Sequence, residues 1–175
     1  MPNANDIIIV GAGIAGCAVA SAFAKQGKRV LLIERSLNEP KRIVGELLQP
    51  GGVAALEKLG LGDCLEGIDA QPVKGYHIYW KDQETTFWFC PTHSTSQSDV
   101  GRAEFKAPEG RSFHHGRFVM NLRQATRQAQ NITILEGTVV EILRCPETGT
   151  VVGVRCARDK ELPTDVSLRS SHLWG

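Results

Sequence analysis

The sequence lacks an excess of charge of either sign and lacks any cysteine pattern that would organise a small domain. Its 20 Lys and Arg residues nearly balance 19 Asp and Glu residues, which leaves a formal net charge of +1. This balance gives no electrostatic reason to expect nucleic acid or an anionic membrane as a partner. No two of the five cysteines have the C-x-x-C spacing. We therefore expect no metal site and no disulfide framework, and a reducing compartment is favoured.

The sequence also lacks a hydrophobic run that is convincing as a membrane span or a signal peptide. Residues 7–24 carry no charge, and these 18 residues come near the lower limit for a span. However, Gly11, Gly13 and Gly16 fall within six residues of this run, and no basic segment precedes it. A strand, a turn and a helix explain this pattern better than a signal or transmembrane segment does.

What is present is an α/β pattern at the start of the chain. Residues 6–10 and 29–34 are short, β-branched runs of the kind found in buried strands. Residues 14–26 are rich in Ala and end at Gly27, which predicts a helix with a glycine C-cap. Strand, helix and strand within about 30 residues predict a βαβ unit with parallel strands and a right-handed crossover.

The remaining sequence predicts a single domain over residues 1–158, followed by an atypical, disordered tail at 159–175 that has no clear period. The polar stretch at 92–110 is predicted to be a loop. Further helices are predicted at residues 52–59 and 116–130, and strands at residues 73–80, 85–89, 132–135, 137–143 and 151–157.

The hexamer Gly-Ala-Gly-Ile-Ala-Gly at residues 11–16 fits the G-x-G-x-x-G pattern between the first strand and the first helix. Gly11 permits the tight turn, Gly13 lets a pyrophosphate approach the backbone, and Gly16 allows close packing of helix on sheet. The helix N-terminus then offers N–H groups and a partial positive charge. Glu34 ends the second strand, where it can accept hydrogen bonds from a ribose and would repel a 2′-phosphate. The motif does not by itself separate NAD from FAD.

Three longer sequence segments indicate a more specific family. They are RIVGELLQPGG at residues 42–52, EGIDAQPV at 66–73 and GRSFHHGRF at 110–118. Together with residues 30–35 and 59–61, they make the chain resemble the flavoprotein monooxygenases and, among these, the squalene epoxidase family. The resemblance covers residues 6–157. It implies a Rossmann-like FAD-binding domain with part of an antiparallel sheet on the substrate side.

The resemblance also assigns roles to individual residues, but it identifies no catalytic side chain. For Arg42 and Arg123, the alternative interpretation is an ordinary solvated charge. For Tyr76, it is a half-buried tyrosine of a strand. By resemblance, the FAD pyrophosphate is held by Gly11, Ala12, Gly13 and Gly16, and the adenosine lies at Glu34 and Arg35. The resemblance assigns further FAD contacts to Arg42, Arg123 and Val139. It places Gln49 and Tyr76 beside the substrate pocket.

The function that the resemblance implies is the FAD-dependent epoxidation of squalene to 2,3-oxidosqualene in sterol biosynthesis. Electrons would come from NADPH through a separate NADPH–cytochrome P450 reductase, at the cytosolic face of the endoplasmic reticulum membrane. The family's later Asp-Gly and Gly-Asp motifs and its C-terminal membrane helices do not occur in these 175 residues. We therefore expect a fragment that is inactive alone. The alternatives are an aromatic-ring hydroxylase that takes hydride directly from NAD(P)H, and a nonfunctional truncated FAD-binding module.

Overall fold

A computed structural model of the chain describes residues 5–43, 46–90, 107–157 and 164–167. The chain divides into two compact units, Met1–Lys41 with Gly116–Gly175, and Arg42–His115. In chain order the elements are β1 (Ile7–Val10), α1 (Ile14–Lys25), β2 (Val30–Glu34), β3 (Leu47–Leu48), α2 (Pro50–Lys58), a 3-10 helix (Gly62–Leu65), β4 (Gln71–Val73), β5 (Gly75–Trp80), β6 (Gln83–Trp88), β7 (Gly110–Ser112), α3 (His115–Gln128), β8 (Ile132–Glu136), β9 (Thr138–Arg144), β10 (Val151–Ala157) and β11 (Thr164–Ser167).

The first unit contains a parallel sheet with the strand order β1-β2-β8. Ile7 lies opposite Val30, and Val30 in turn lies opposite Ile132. The central strand β2 is paired at both edges, and its apolar residues from Val30 to Ile33 are buried, whereas Glu34 at its end is polar. The predicted βαβ unit is confirmed, and with it the α/β fold class.

A second, antiparallel sheet of the first unit has the order β11-β10-β9. Val154 and Cys156 of β10 form one buried cluster with Leu31 and Ile33 of β2, and Val139 packs against it. Because β11 pairs with β10 in register, the prediction that the tail forms no element is wrong for Thr164–Ser167. Four residues are too few for an alternating pattern to stand out in a sequence.

The second unit contains the three-stranded antiparallel sheet β3-β7-β4 and the hairpin β5-β6. The single strand predicted at 73–80 is divided at Lys74 into β4 and β5. The hairpin turn is shorter than predicted because β6 begins at Gln83, directly after Lys81 and Asp82. The strands β3 and β7 were not predicted, since two or three residues carry no periodicity. The loop predicted at 92–110 is wrong at Gly110, which begins β7, and residues 91–106 lie outside the described part.

The two later helices were predicted at nearly their observed positions. Helix α2 begins two residues earlier than predicted, at Pro50, because proline has no N–H to lose in the first turn. Helix α3 was predicted at residues 116–130. It begins one residue earlier, at His115, and ends two residues earlier, at Gln128. No helix in the described part of the chain combines the length and apolar character that a membrane span requires.

Candidate cofactor-binding site

The glycine-rich turn between β1 and α1 has the backbone geometry that its sequence predicts. Gly11 has a φ of +99°, in the left-handed region that side chains disfavour. Its N–H donates to the carbonyl of Ile33 at 2.7 Å and so ties the turn to β2. A Cβ on Gly16 would collide with the carbonyl oxygen of Gly11. Glycine is therefore required at position 11 by the positive φ and at position 16 by the close approach of helix and strand.

Gly13 has different surroundings, because a Cβ added to it would meet nothing within 4 Å. It is the N-cap residue of α1, and neither a side-chain cap nor an acidic residue occupies the first turn of that helix. The turn thus combines open space with amide N–H groups and the positive end of a helix dipole. These features fit the pyrophosphate of a dinucleotide cofactor.

Glu34 ends β2 and turns its carboxylate back to the glycine-rich turn. Its Oε2 accepts a hydrogen bond from the N–H of Ala12 at 2.7 Å, and its Oε1 accepts one from the N–H of Ser36 at 3.2 Å. A carboxylate has about four acceptor positions, so some remain for ribose hydroxyls. The sequence analysis missed the bond to Ala12, and the ribose contact stays a prediction.

Arg123 of α3 is buried beside the same turn. Its Nε donates to the carbonyl of Ala12 at 2.8 Å, and its Nη1 donates to the carbonyl of Asn38 at 2.9 Å. Its Nη2 lies 3.6 Å from Oε2 of Glu34. The residue is 3% exposed, which excludes the alternative of an ordinary solvated charge. Whether the guanidinium also touches FAD stays a prediction.

The thiol of Cys17 lies buried on α1 within the same unit. Burial raises the pKa of this thiol, although a hydrogen bond with Thr126 and the charge of Arg123 act in the opposite direction. A raised pKa keeps the thiol neutral, so Cys17 is suited to packing and not to nucleophilic chemistry.

The other predicted cofactor residues lie in different settings. Arg35 follows Glu34 and is exposed, and Val139 of β9 packs against the core cluster of the first unit. Arg42 is exposed and belongs to the second unit. The structure thus brings Glu34 and Arg123 together at the turn, whereas FAD contacts of Arg35, Arg42 and Val139 remain predictions.

The predicted substrate pair lies in the second unit, where Gln49 donates a side-chain hydrogen bond to the hydroxyl of Tyr76. Tyr76 also meets the ring of Phe89 edge-on, with ring centroids 5.5 Å apart. A cavity of about 190 Å³ in this unit is lined by residues that include Val53 and Arg111, but not by this pair. Pockets for sizeable ligands are about 300–1,000 Å³. The substrate role of Gln49 and Tyr76 therefore stays a prediction.

Comparison with curated proteins shows which proteins the chain is similar to. The chain is 50% identical over 154 residues to a squalene epoxidase of Aspergillus fumigatus, covering 88% of this chain and 30% of that protein. It is 47% identical over 162 residues to a squalene epoxidase of Schizosaccharomyces pombe, covering 91% and 33%. The squalene monooxygenase of Mus musculus is 43% identical over 158 residues, covering 89% and 25%. The chain is thus similar to squalene epoxidases over about nine tenths of its length. It spans 25–33% of the length of these relatives.

Comparisons with protein families and with solved structures find FAD-dependent proteins. The FAD dependent oxidoreductase family (DAO) matches residues 6–40, which include the glycine-rich turn and Glu34. The myxobacterial chondrochloren halogenase, an FAD-dependent halogenase, is 27% identical with a TM-score of 0.70, covering 95% of this chain and 36% of that one. A probable FAD-dependent monooxygenase from Pseudomonas aeruginosa shares the fold at 18% identity, with a TM-score of 0.65, covering 88% and 38%. These matches support FAD as the cofactor of this chain.

Proposed function

We propose that this chain is the FAD-binding part of a squalene epoxidase, a monooxygenase that converts squalene to 2,3-oxidosqualene. The observation that carries this proposal is the identity of 43–50% to squalene epoxidases of several species across nearly nine tenths of the chain. The open glycine-rich turn supports it, because the homologous segment retains space and donors for a pyrophosphate.

In this proposal the first unit supplies the cofactor's dinucleotide-binding surface. Bound FAD supplies the redox chemistry that activates oxygen. The turn at Gly11, Ala12, Gly13 and Gly16 binds the pyrophosphate, and Glu34 binds the adenosine ribose, with Arg35 beside it. Arg42 and Val139 make further contacts with FAD, and Gln49 and Tyr76 lie beside the substrate pocket.

We also propose that electrons reach the site from NADPH through NADPH–cytochrome P450 reductase, at the endoplasmic reticulum membrane. This part of the proposal rests on the resemblance to the squalene epoxidase family. It distinguishes the chain from an aromatic-ring hydroxylase, which takes hydride directly from NAD(P)H.

The experiment is a segment exchange with the Schizosaccharomyces pombe relative. Residues 6–157 of this chain replace the homologous segment of that squalene epoxidase, and the chimera is supplied with FAD, NADPH, the reductase and squalene. We expect 2,3-oxidosqualene, and we expect none from the same chimera carrying Gly13→Val. Omission of the reductase should abolish the product.

Two results would count against the proposal. A chimera that retains FAD but forms no product would show that this segment does not serve squalene epoxidation. Reduction of its flavin by NADPH without the reductase would favour the aromatic-ring hydroxylase.

A further inference from the structure

Ala12 is held from both sides by one pair of opposite charges. Its N–H donates to Oε2 of Glu34 at 2.7 Å, and its carbonyl accepts from Nε of Arg123 at 2.8 Å. The two charged groups also face each other, with Nη2 of Arg123 3.6 Å from Oε2 of Glu34. Both peptide groups that flank Ala12 are therefore fixed by side chains distant in sequence.

The hydrogen bond from Arg123 to the Ala12 carbonyl determines the orientation of the Ala12–Gly13 peptide. The described residues contain no cis peptide bond, and in a trans peptide the C=O and N–H groups point in opposite directions. Because the Ala12 carbonyl points to the guanidinium, the N–H of Gly13 points away from it. Gly13 also borders open space, since an added Cβ would meet nothing within 4 Å.

The guanidinium is itself held firmly enough to fix this direction. Its side chain is 4% exposed, and each of its three nitrogens has a partner on the chain. Nη1 donates to the carbonyl of Asn38 at 2.9 Å, which anchors the group at the far side from Ala12.

We propose that Arg123 is a positioning residue that keeps the Ala12 carbonyl turned away from the pyrophosphate site and presents the N–H of Gly13 to the phosphates. This inference rests on the proposed FAD-binding function. Without the guanidinium, the Ala12–Gly13 peptide is free to rotate and to aim a carbonyl oxygen at an anion. The family resemblance implies a different role, which is direct contact of Arg123 with FAD. If Arg123 had only that role, its removal would leave the direction of the Ala12–Gly13 peptide unchanged.

The test compares Arg123→Met and Arg123→Lys with Arg127→Met in the 175-residue chain. Arg127 is the matched control because it lies one turn further along α3 and is exposed. Two quantities are measured, the Kd for FAD and, in the chain without FAD, the ¹⁵N chemical shift of the Gly13 amide. That shift reports the hydrogen bond to the preceding Ala12 carbonyl and requires no cofactor.

We expect Arg123→Met to weaken FAD binding at least 10-fold and to move the Gly13 shift, while Arg127→Met changes neither. Lysine can donate to the Ala12 carbonyl, but its single nitrogen cannot reach the three separate partners of the planar guanidinium. Arg123→Lys should therefore restore much of the Gly13 shift and part of the affinity. If Arg123→Met does not fold, Arg123→Gln takes its place, with the same expected loss of FAD affinity and the same expected movement of the Gly13 shift.

Weaker FAD binding with an unmoved Gly13 shift would overturn the inference in favour of direct contact. Unchanged FAD binding in both Arg123 variants would also overturn it. If the unmodified chain does not bind FAD, the proposed function fails instead. In that case an unmoved Gly13 shift in the Arg123 variants would still refute the peptide-orienting role.

Discussion

Gly13 and Gly16 lie three residues apart, yet a side chain at each position would meet different surroundings. At Gly13 an added Cβ has nothing within 4 Å, whereas at Gly16 it would collide with the backbone carbonyl of Gly11. A backbone atom cannot move aside as the end of a flexible side chain can. At the residue scale, Gly16 is therefore required by the fold, whereas Gly13 borders open space and is expected to serve the cofactor.

This difference predicts opposite outcomes for two valine substitutions. Gly13→Val should leave the melting temperature nearly unchanged and abolish FAD retention, because the side chain enters the space meant for a phosphate. Gly16→Val should lower the free energy of unfolding by about 1–3 kcal/mol or more, the usual cost of overpacking. Thermal melts without FAD and flavin absorbance after purification measure both effects. Normal flavin absorbance in the Gly13 variant would refute the phosphate assignment.

Glu34→Gln tests the ribose assignment. The substitution keeps the shape but removes the charge, and loss of a charged hydrogen bond costs about 1.5–3 kcal/mol, or roughly 10- to 150-fold in FAD affinity. Titration of the chain with FAD measures the change. Glu136→Gln is the control, because Glu136 lies opposite Glu34 in the sheet and likewise accepts a backbone N–H, from Leu37. Equal affinities of the Glu34 variant and the unmodified chain would show that this carboxylate does not serve FAD.

The glycine-rich turn and Glu34 were predicted from the sequence, but the contacts that fix their positions were not. The roles of Gly11 and Gly16 follow from local geometry, which a six-residue pattern encodes. The bond from Arg123 to Ala12 joins residues 111 positions apart, and no local signal marks it. A buried arginine and a solvated one look alike in a single sequence, so the role of Arg123 required the packing of α3.

At the scale of elements, a side-chain pair joins the starts of β1 and β2. The carboxylate of Asp6 accepts hydrogen bonds from the backbone N–H and the guanidinium of Arg29, with Nη2 2.8 Å from Oδ1. The side-chain hydrogen bonds, the backbone hydrogen bond and the charge of Arg29 lower the pKa of Asp6 from 3.8 to about 2. The pair therefore fixes two adjacent parallel strands through an ionised carboxylate.

The lowered pKa predicts how the pair depends on pH. A carboxyl group whose pKa is lower in the folded state stabilises the fold above its unfolded pKa and loses that contribution as pH falls. We expect Asp6→Asn to lower the melting temperature modestly at pH 7, since the pair is partly exposed. The difference from the unmodified chain should shrink between pH of about 4 and 2. Asp82→Asn, in the turn between β5 and β6, is the control, and an equal effect of both variants would refute this account.

The elements that sequence predicted well are those with a long or repeated pattern. The central strand β2 is an unbroken apolar run, and α3 has its buried residues Phe118, Val119 and Leu122 at helical spacing. By contrast, β3 and β7 contain two and three residues and exist because each pairs with a neighbouring strand. Their pairing depends on contacts between distant parts of the chain, which no local pattern records.

At the scale of the whole molecule, the hairpin β5-β6 exposes an unusual amount of apolar surface. Trp80 and Trp88 are 70% and 67% exposed, and Ile78 and Phe87 are about half exposed. A two-stranded hairpin is at most marginally stable when it stands alone. Exposed apolar surface of this kind marks a place that another surface covers.

The 175-residue chain alone is therefore expected to bind FAD but not to epoxidise squalene. The cavity of about 190 Å³ in the second unit is not lined by Gln49 or Tyr76, the pair expected beside the substrate. An open site admits water, so NADPH and oxygen consumed through the reductase should yield hydrogen peroxide and not an epoxide. The assay incubates the purified chain with FAD, NADPH, the reductase and squalene, and measures 2,3-oxidosqualene and hydrogen peroxide. The chimera with the Schizosaccharomyces pombe relative is the positive control. Epoxide from the chain alone, well above a reaction without enzyme, would show that these residues suffice to enclose the substrate.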